Sequence, residues 1–221
     1  GVTPKELDAR ARLLIEERGC TPAFLGYTPH GVSYAYPAAL CVSVNAEVVH
    51  GIPNNTPLKE GDIVSIDLGL WYKKVVVDSA RTVPVGKISH ELSELLRITK
   101  ESLFVGIHEA VAGNRTGDIG NAIETFIKPH KYGIVKELAG HGVGRNIHED
   151  PYVPNYGQKK TGALLKEGMV IAIEPMINLG KAGVVFDKDE YTVYTKDKLP
   201  SAHFEHTILI TNGEPEILTN Y

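Results

Sequence analysis

The segment LKEGDIVSID at residues 58–67 returns 107 residues later as LKEGMVIAIE at residues 165–174. Both copies open with the same four residues, continue as an apolar run with β-branched side chains and reach an acidic residue at the tenth position. Upstream of each copy, residues 3–19 and 116–133 begin with a threonine typical of a helix N-cap and end near a glycine. Two matches in the same order indicate a duplicated unit of helix, connection and strand.

Both upstream segments carry apolar side chains at the spacing of one helix face. These are Leu7, Ala11, Leu14 and Ile15 in the first segment and Ile119, Ile123, Phe126 and Ile127 in the second. The duplication predicts one domain over residues 1–221, with halves at about residues 1–86 and 87–221. The second half has a further predicted helix at residues 89–112, and the first half shows no counterpart. We therefore expect the corresponding helix of the first half to be missing or trimmed at the N-terminus.

That further helix has an apolar stripe and stops at Gly113. The stripe consists of Leu92, Leu95, Leu96, Leu103, Ile107 and Val111.

Composition excludes several classes of protein. The 221 residues carry a formal net charge of −4, which gives no electrostatic footprint for nucleic acid or an anionic membrane. No apolar run is long enough to span a bilayer, and the N-terminus has no signal-peptide core. Two cysteines form no disulfide framework and fit a reducing compartment. We expect a cytoplasmic protein, monomeric, that binds neither nucleic acid nor membrane.

Two aspartates lie on neighbouring predicted strands. Asp67 is in the run DIVSIDLGLW, and Asp78 is in KVVVDSARTV. A hairpin turn at Tyr72 and Lys73 would place the two carboxylates directly opposite each other, with Cβ atoms about 5 Å apart. Such a pair needs a shared proton or a cation. The alternative is that both side chains face solvent on an exposed sheet.

Two glutamates and two histidines extend this set. Glu174 ends a predicted buried strand before a proline, and Glu205 lies at the centre of a predicted apolar strand, where its alternative role is an ion pair with an arginine. His141 stands between glycines, and His148 precedes two acids. Four carboxylates with the imidazole of His141 form an oxygen-rich set that suits Mn, Fe, Co or Zn. That much negative charge predicts two divalent ions, about 3.5–4 Å apart.

Six motifs together match one enzyme family. They are VVHGIP with His50, SIDLG with Asp67, VVVDSARTVPVG with Asp78, GHGVGRNIHEDP with His141 and His148, IAIEPMIN with Glu174 and SAHFEHTILIT with Glu205. In this set the chain resembles the type I methionine aminopeptidases of the M24 metallopeptidases over essentially its whole length. The resemblance implies the pita-bread fold, an α+β fold with two pseudo-twofold halves, antiparallel sheet and outer helices.

The resemblance also implies how the ligands divide between two divalent metals. Asp78 and Glu205 match carboxylates shared by both metals. Asp67 matches a ligand of one metal alone, and His141 and Glu174 match ligands of the other. The native metal among Co, Mn, Fe and Zn is left open.

Three side chains match catalytic groups of the family. Glu174 would carry a proton from the attacking water to the leaving amine, and His148 would donate to the developing oxyanion. His50 would hold the scissile amide, although it could also be a plain loop histidine before Gly51. The implied reaction removes the N-terminal methionine of nascent chains and peptides when the second residue is small. The ribosome is one place where the enzyme could meet them.

An apolar pocket for the methionine side chain follows from the same resemblance. Its candidates are Phe24, Tyr27, Tyr36, Cys41, Ile147 and Tyr191. Many bacterial relatives have tryptophan in place of Tyr191 and fewer residues between Tyr27 and Tyr36. The extra residues 28–35 therefore predict a loop at the pocket rim, or else an ordinary surface loop.

Two other functions are open at this point. One is an Xaa-Pro aminopeptidase or prolidase of the same fold, although such enzymes usually carry a separate N-terminal domain. The other is a non-catalytic pita-bread protein that binds partners, although such proteins lose metal ligands, and here every ligand position is filled.

Overall fold

Both copies of the repeated segment form a tight turn that leads into the central strand of a sheet. The computed structural model describes residues 1–220. In the first copy Gly61 has a φ of 96° and donates its N–H to the carbonyl of Val85, and in the second Gly168 has a φ of 85° and donates to the carbonyl of Ile210. Positive φ is open to glycine at no steric cost, so the repeated glycine fixes the same turn twice.

The chain forms three α-helices and fifteen short strands over the described residues. The helices are α1 (Pro4–Glu17), α2 (His90–His108) and α3 (Thr116–Ile127), followed by a 3-10 turn at Lys128–His130. The strands of the first half are β1 (Thr21–Pro22), β2 (Cys41–Val44), β3 (Glu47–Val49), β4 (Ile63–Tyr72) and β5 (Val75–Pro84). Those of the second half are β6 (Gly133–Ile134), β7 (Gly140–Gly142), β8 (Glu149–Val153), β9 (Val170–Ile173), β10 (Met176–Asn178), β11 (Val184–Phe186), β12 (Val193–Thr195), β13 (Ser201–His203), β14 (His206–Leu209) and β15 (Glu216–Ile217).

The sheets repeat one arrangement. In the first half β4 is central, with β5 along one edge and β2 and β1 along the other. In the second half β9 is central in the order β15-β14-β9-β7-β8. The trio β2-β4-β5 therefore corresponds to β7-β9-β14, and all of these pairings are antiparallel. The α+β class with antiparallel sheet is confirmed.

The β4–β5 register differs from the one expected. Asp78 pairs with Gly69, and Asp67 pairs with Ala80, so the two aspartates are diagonal neighbours and not direct partners. The reason is the turn: Lys73 adopts a left-handed φ of 57°, so Lys73 and Lys74 form the turn. A shift of two residues keeps both side chains on one face of the sheet.

Helix α1 begins as the sequence predicts. The Thr3 hydroxyl accepts from the Glu6 N–H at 3.3 Å, and the Glu6 carboxylate accepts from the Thr3 N–H at 2.8 Å. This is a capping box, and it satisfies two backbone donors that a helix start otherwise leaves unpaired.

Two other helix ends differ from the prediction. Helix α3 begins at Thr116 itself, because its hydroxyl accepts from the Ala163 N–H, while the Asp118 carboxylate accepts from the Arg115 N–H ahead of the helix. Helix α2 ends at His108 and not at residue 112, because the following residues close into tight turns before Gly113.

Helices α2 and α3 cover the sheets of the second half. Leu95, Leu103, Ile119, Ile123 and Ile171 are all fully buried in the largest apolar cluster, which lies between these helices and the strands. Each such side chain stabilises the fold by about 1.5–3 kcal/mol relative to an exposed one. Because the helices pack on one face of the sheets, the opposite face is available to line a polar cleft. In the described part of the chain, no helix is long and apolar enough to cross a membrane.

Candidate metal centre and active site

One cleft gathers side chains from nearly every motif singled out in the sequence. Its walls consist of Phe24, Tyr27, Pro29, Tyr36, Cys41, His50, Asp67, Asp78, His141, His148, Glu174, Tyr191 and Glu205. All five candidate ligands and both candidate substrate histidines therefore lie together. Of the six pocket candidates only Ile147 is not in the wall. It packs beside Gly69, and Pro29 from the loop predicted at the pocket rim also lines the wall.

The two aspartates are inside the protein. Asp67 is 8% exposed and Asp78 is 4% exposed, so neither lies on the solvent-facing sheet that was the alternative. The backbone N–H and C=O of Asp78 both bond to the Thr207 hydroxyl, at 2.8 and 2.7 Å, which fixes β5 against β14. Burial raises the pKa of Asp78 to about 7, and burial together with the charge of Asp78 raises the pKa of Asp67 well above its usual value.

Glu205 occupies a break between two strands. The expected position at a strand centre is wrong: β13 ends at His203, and β14 begins at His206. The Glu205 N–H donates to the carbonyl of Ala80 at 2.8 Å, which holds the residue against β5. Its carboxylate has no arginine partner among the described residues, and Oε1 is buried without a hydrogen bond. Burial, first, and then the charges of the neighbouring acids raise the pKa of Glu205.

Glu174 directly follows β9, as predicted from the proline after it. Its carbonyl accepts from the Asn155 side-chain amide at 3.1 Å. Its carboxylate lies between two imidazoles, with Oε1 3.5 Å from His141 Nε2 and Oε2 3.5 Å from His203 Nε2. Burial and the charge of Asp78 raise the pKa of Glu174 well above its usual value.

The glycines beside His141 allow the strand to pass between two others. A Cβ on Gly140 would lie 2.2 Å from the carbonyl oxygen of Ala172, and one on Gly142 would lie 2.1 Å from that of Asp150. The His141 Nδ1 is 2.9 Å from the Gly142 carbonyl, which can only accept. Nδ1 therefore carries the ring proton, and Nε2 presents a lone pair to the carboxylates, as a metal ligand requires.

The acidic side of the cleft fits divalent metal. Ligand atoms of Asp78, His141 and Glu205 lie within 4.8 Å of one another. Asp67 Oδ1 and Glu205 Oε1 are buried without partners among the described residues, and the cleft wall contains no lysine or arginine. Four carboxylates in such a place need a cation or bound protons. Carboxylate and imidazole are ligands of Mn, Fe, Co and Zn.

Two further histidines face the same space. His50 has a φ of 60°, which is rare outside glycine and costs on the order of 1–3 kcal/mol. Gly51 follows it, and a Cβ there would lie 2.4 Å from the Val42 carbonyl. His148 lies at the cleft mouth with its ring turned into the cleft, 4.4 Å from the ring of His141, and its Nδ1 is 2.8 Å from the Tyr27 hydroxyl. Burial and the neighbouring His141 lower the pKa of both rings to about 4, so they are neutral at pH 7.

The apolar side of the cleft is shaped by fixed aromatic rings. The Tyr36 hydroxyl donates to backbone carbonyls of Leu40 and Gly51, and its ring meets that of Tyr191 edge to face. Burial raises the pKa of the Cys41 thiol, so this side chain is an uncharged, small apolar group.

The loop at residues 28–35 is hydrogen-bonded to residues 189–191 and is not a free surface loop. Tyr34 donates from its hydroxyl to the Asp189 carbonyl at 2.6 Å, and the Ser33 hydroxyl and N–H donate to the Glu190 carboxylate. The Tyr191 hydroxyl donates to the Tyr34 carbonyl. The loop therefore forms the rim of the pocket together with residues 189–191.

One site residue was missed in the sequence. The sequence motifs gave His203 no role, yet it is 1% exposed and directed at Glu174. The available signal was its spacing, since it lies two residues before Glu205, on the same side of the chain, in an otherwise apolar run.

Comparison with known proteins agrees with this geometry. Residues 1–212 match the family model described as metallopeptidase family M24. A relative from Clostridium perfringens named methionine aminopeptidase is 47% identical, over 99% of this chain and 86% of its own length. A solved methionine aminopeptidase structure from Rickettsia prowazekii superposes with a TM-score of 0.95 at 39% identity, covering 99% of this chain and 86% of that one.

A solved prolidase from Pyrococcus horikoshii has the same fold in a longer chain. It superposes with a TM-score of 0.77 at 25% identity, and this chain, covered completely, spans 55% of it. The predicted pita-bread fold is confirmed by these superpositions.

Proposed function

The chain belongs to the metallopeptidase family M24, and we propose that it removes the N-terminal methionine from peptides and proteins whose second residue is small. The observation that carries the proposal is the adjacency of two unlike walls in one cleft. Buried carboxylates with His141 line one side of the cleft, and Phe24, Tyr36 and Tyr191 line an apolar side of the same cleft. A peptide with an apolar first side chain in that pocket presents its first carbonyl to the acidic wall.

The acidic wall would hold two divalent ions. The ligands would be Asp67, Asp78, His141, Glu174 and Glu205. Four carboxylates carry four negative charges when ionised, and two divalent ions balance these charges. A single divalent ion would leave excess negative charge buried, which is unfavourable. When bound, such ions supply a Lewis acid and lower the pKa of water, so that a nucleophile is available near pH 7. Mn, Fe, Co and Zn all suit these ligands.

His148 stabilises the charge that develops on the carbonyl oxygen. The Tyr27 hydroxyl and Nδ1 of His148 are 2.8 Å apart, and we assign the hydroxyl as the donor, which puts the ring proton on Nε2. The pKa of His148 is lowered to about 4, so the ring is neutral at pH 7 and its Nε2–H acts as an uncharged hydrogen-bond donor. A positioned donor to an oxyanion is worth roughly 10²–10³ in rate.

His50 orients the scissile amide, and Glu174 moves the proton. The left-handed backbone at His50 and the close approach of Gly51 to β2 hold the imidazole at the junction of the two walls. Glu174 lies at the inner end of the cleft and accepts a proton at a carboxylate oxygen, then delivers it to the leaving amine. A carboxylate whose pKa is raised by burial takes up a proton readily near neutral pH.

The pocket selects methionine by shape and softness. Tyr27, Tyr36, Cys41 and Tyr191 present aromatic faces and a thiol, against which a thioether packs favourably. A large second side chain would push the carbonyl away from the acidic wall, and a misplacement of about 1 Å can cost a hundredfold in rate. The substrates would be the N-termini of nascent chains. A cytoplasmic location, a meeting at the ribosome and a monomeric state stay predictions.

A peptide panel tests the proposal. Metal-free protein is reloaded separately with Mn, Fe, Co and Zn and assayed on Met-Ala-Ser, Met-Lys-Ser, Leu-Ala-Ser and Xaa-Pro peptides. We expect at least one metal to restore cleavage of Met-Ala-Ser, with Met-Lys-Ser slower by about a hundredfold or more. Faster cleavage of Xaa-Pro peptides would favour a prolidase activity. A protein that binds no metal would contradict catalysis altogether.

A further inference from the structure

His203 is a buried imidazole with two unused ring nitrogens. It is 1% exposed, and neither Nδ1 nor Nε2 has a hydrogen-bond partner among the described residues. A buried polar side chain left unpaired costs about 1–3 kcal/mol, so such a group calls for an explanation. The nearest candidate partner is the Glu174 carboxylate, whose Oε2 lies 3.5 Å from Nε2.

The fold fixes the place of this ring. The N–H of His203 donates to the Thr82 hydroxyl at 2.8 Å, and its carbonyl accepts from the same hydroxyl at 3.0 Å. On its other side β13 pairs with β10, with His203 opposite Met176, two residues after Glu174. The ring is therefore held beside Glu174 by two separate backbone attachments.

His203 stands behind the acidic wall and not in it. The group of mutually close ligand atoms in the described part of the chain consists of Asp78, His141 and Glu205, without His203. Its side chain does not line the substrate cleft either. It approaches Glu174 from the protein side, while His141 approaches the other carboxylate oxygen from the cleft side. This arrangement suits a hydrogen-bond donor to a ligand better than a ligand.

We propose that His203 is a positioning residue, whose Nε2–H donates to Oε2 of Glu174 and turns Oε1 toward His141 and the metal centre. The inference rests on the proposed function. A side-chain movement of a few tenths of an ångström brings His203 Nε2 and Glu174 Oε2, now 3.5 Å apart, into hydrogen-bond range. Partners of this kind fix a ligand's orientation, and losing one typically costs 10–100-fold in metal affinity or activity.

Three variants test the role. His203→Leu removes the hydrogen-bond donor, whereas His203→Gln keeps one. His206→Gln is the control, because His206 is similarly buried but contacts Thr219 and Phe104 instead of Glu174. Calorimetric titration with Mn²⁺ measures metal affinity, and kcat and KM on Met-Ala-Ser are measured separately. We expect His203→Leu to lose about tenfold or more in affinity and in kcat with little change in KM, and His203→Gln and the control to stay within about threefold.

The outcomes separate this role from the proposed function. A wild-type protein that binds metal and cleaves Met-Ala-Ser, with His203→Leu equal to it, would overturn only the role of His203. Equal losses in His203→Leu and His203→Gln would overturn the donor role. A wild-type protein that bound no metal would overturn the proposed function and this role with it.

If His203→Leu does not fold, nitrogen NMR of ¹⁵N-histidine-labelled wild type decides the matter. The role predicts that Nε2 of His203 carries a proton both in the metal-free protein and in protein loaded with Zn²⁺, which is diamagnetic. An Nε2 signal that moves to the position of a metal-bound nitrogen, or an unprotonated Nε2, would overturn it.

Discussion

The two halves of the molecule deliver their acids to the cleft in different ways. In the first half β4 and β5 pair without interruption over ten residues each, and Asp67 and Asp78 project from the face of that ladder. In the second half the corresponding ladder is broken. β9 pairs with β14 up to Ile173 and His206, and pairing resumes between β10 and β13 at Met176 and His203.

The break lies at the two glutamates. Continuing the register across it would place Glu174 opposite Glu205, next to Pro175 and Phe204. Proline has no N–H to give to a ladder, so regular pairing stops there. The same duplicated hairpin therefore presents its carboxylates from a sheet face in one half and from a strand break in the other. The second half therefore gives up regular pairing at the place where its two acids enter the cleft.

Removing one of the proposed metal-ligand carboxylates from either half should have the largest effect. Glu205→Ala and Asp78→Ala each leave buried positive charge uncompensated, so metal content and kcat should both fall by more than about a hundredfold, beyond the loss seen for indirect ligand partners. Metal analysis by mass spectrometry and steady-state kinetics measure this. If Glu205→Ala kept two equivalents of metal with native affinity, the strand break would not be part of the metal centre.

His148→Ala should affect turnover without affecting the metal. The loss of an oxyanion donor predicts a fall in kcat of roughly a hundredfold or more, with metal content and thermal stability retained. The matched variant Tyr27→Phe keeps the ring but removes the partner of Nδ1 and should cause a smaller fall. An unchanged rate in His148→Ala would make this residue structural.

The thermal stability of the metal-free protein should depend on pH, because Asp78 is a buried acid on β5. Burial raises the pKa of Asp78 from 3.8 to about 7 in the folded protein. A raised folded-state pKa gives stability that is complete below the unfolded value and is lost as pH rises through the folded value. The metal-free protein should therefore lose a few degrees of Tm between about pH 4 and 7, and Asp78→Asn should reduce this loss without abolishing it, because the pKa values of Asp67, Glu174 and Glu205 are also raised. A metal-free Tm that rose over this range would contradict the assignment.

The smallest expected effect concerns the repeated turn. Gly61→Ala and Gly168→Ala place a Cβ in open space at positive φ, so each should cost only about 1–2 kcal/mol of unfolding free energy through backbone strain. Chemical denaturation measures both. Equal costs would support the structural equivalence of the halves, whereas a cost in only one of them would break it.

The sequence was sufficient for features that depend on local pattern. The echo at residues 58–67 and 165–174 located both central strands, the capping box at Thr3 located α1, and the acid before Pro175 located the end of β9. The resemblance then assembled residues from distant motifs, and the structure brings them into one cleft. These features are local in sequence or shared by relatives.

Other features depended on tertiary contacts. The β4–β5 register turns on one left-handed lysine, Lys73, where no Asn-Gly or Asp-Gly signal exists. The start of α3 depends on Ala163, far along the chain, and the isolation of Glu205 from any strand depends on the break opposite Pro175. His203 was missed because a histidine in an apolar run shows its burial but not the carboxylate that it approaches.

Anomalous diffraction from crystals of the Mn²⁺-loaded protein would show whether the acids of both halves hold one metal centre. We expect two anomalous peaks about 3.5–4 Å apart, with Asp67 and Asp78 reaching them from the β4–β5 ladder and Glu174 and Glu205 from the strand break. A single peak held by one half alone, or no peak in the cleft, would contradict it.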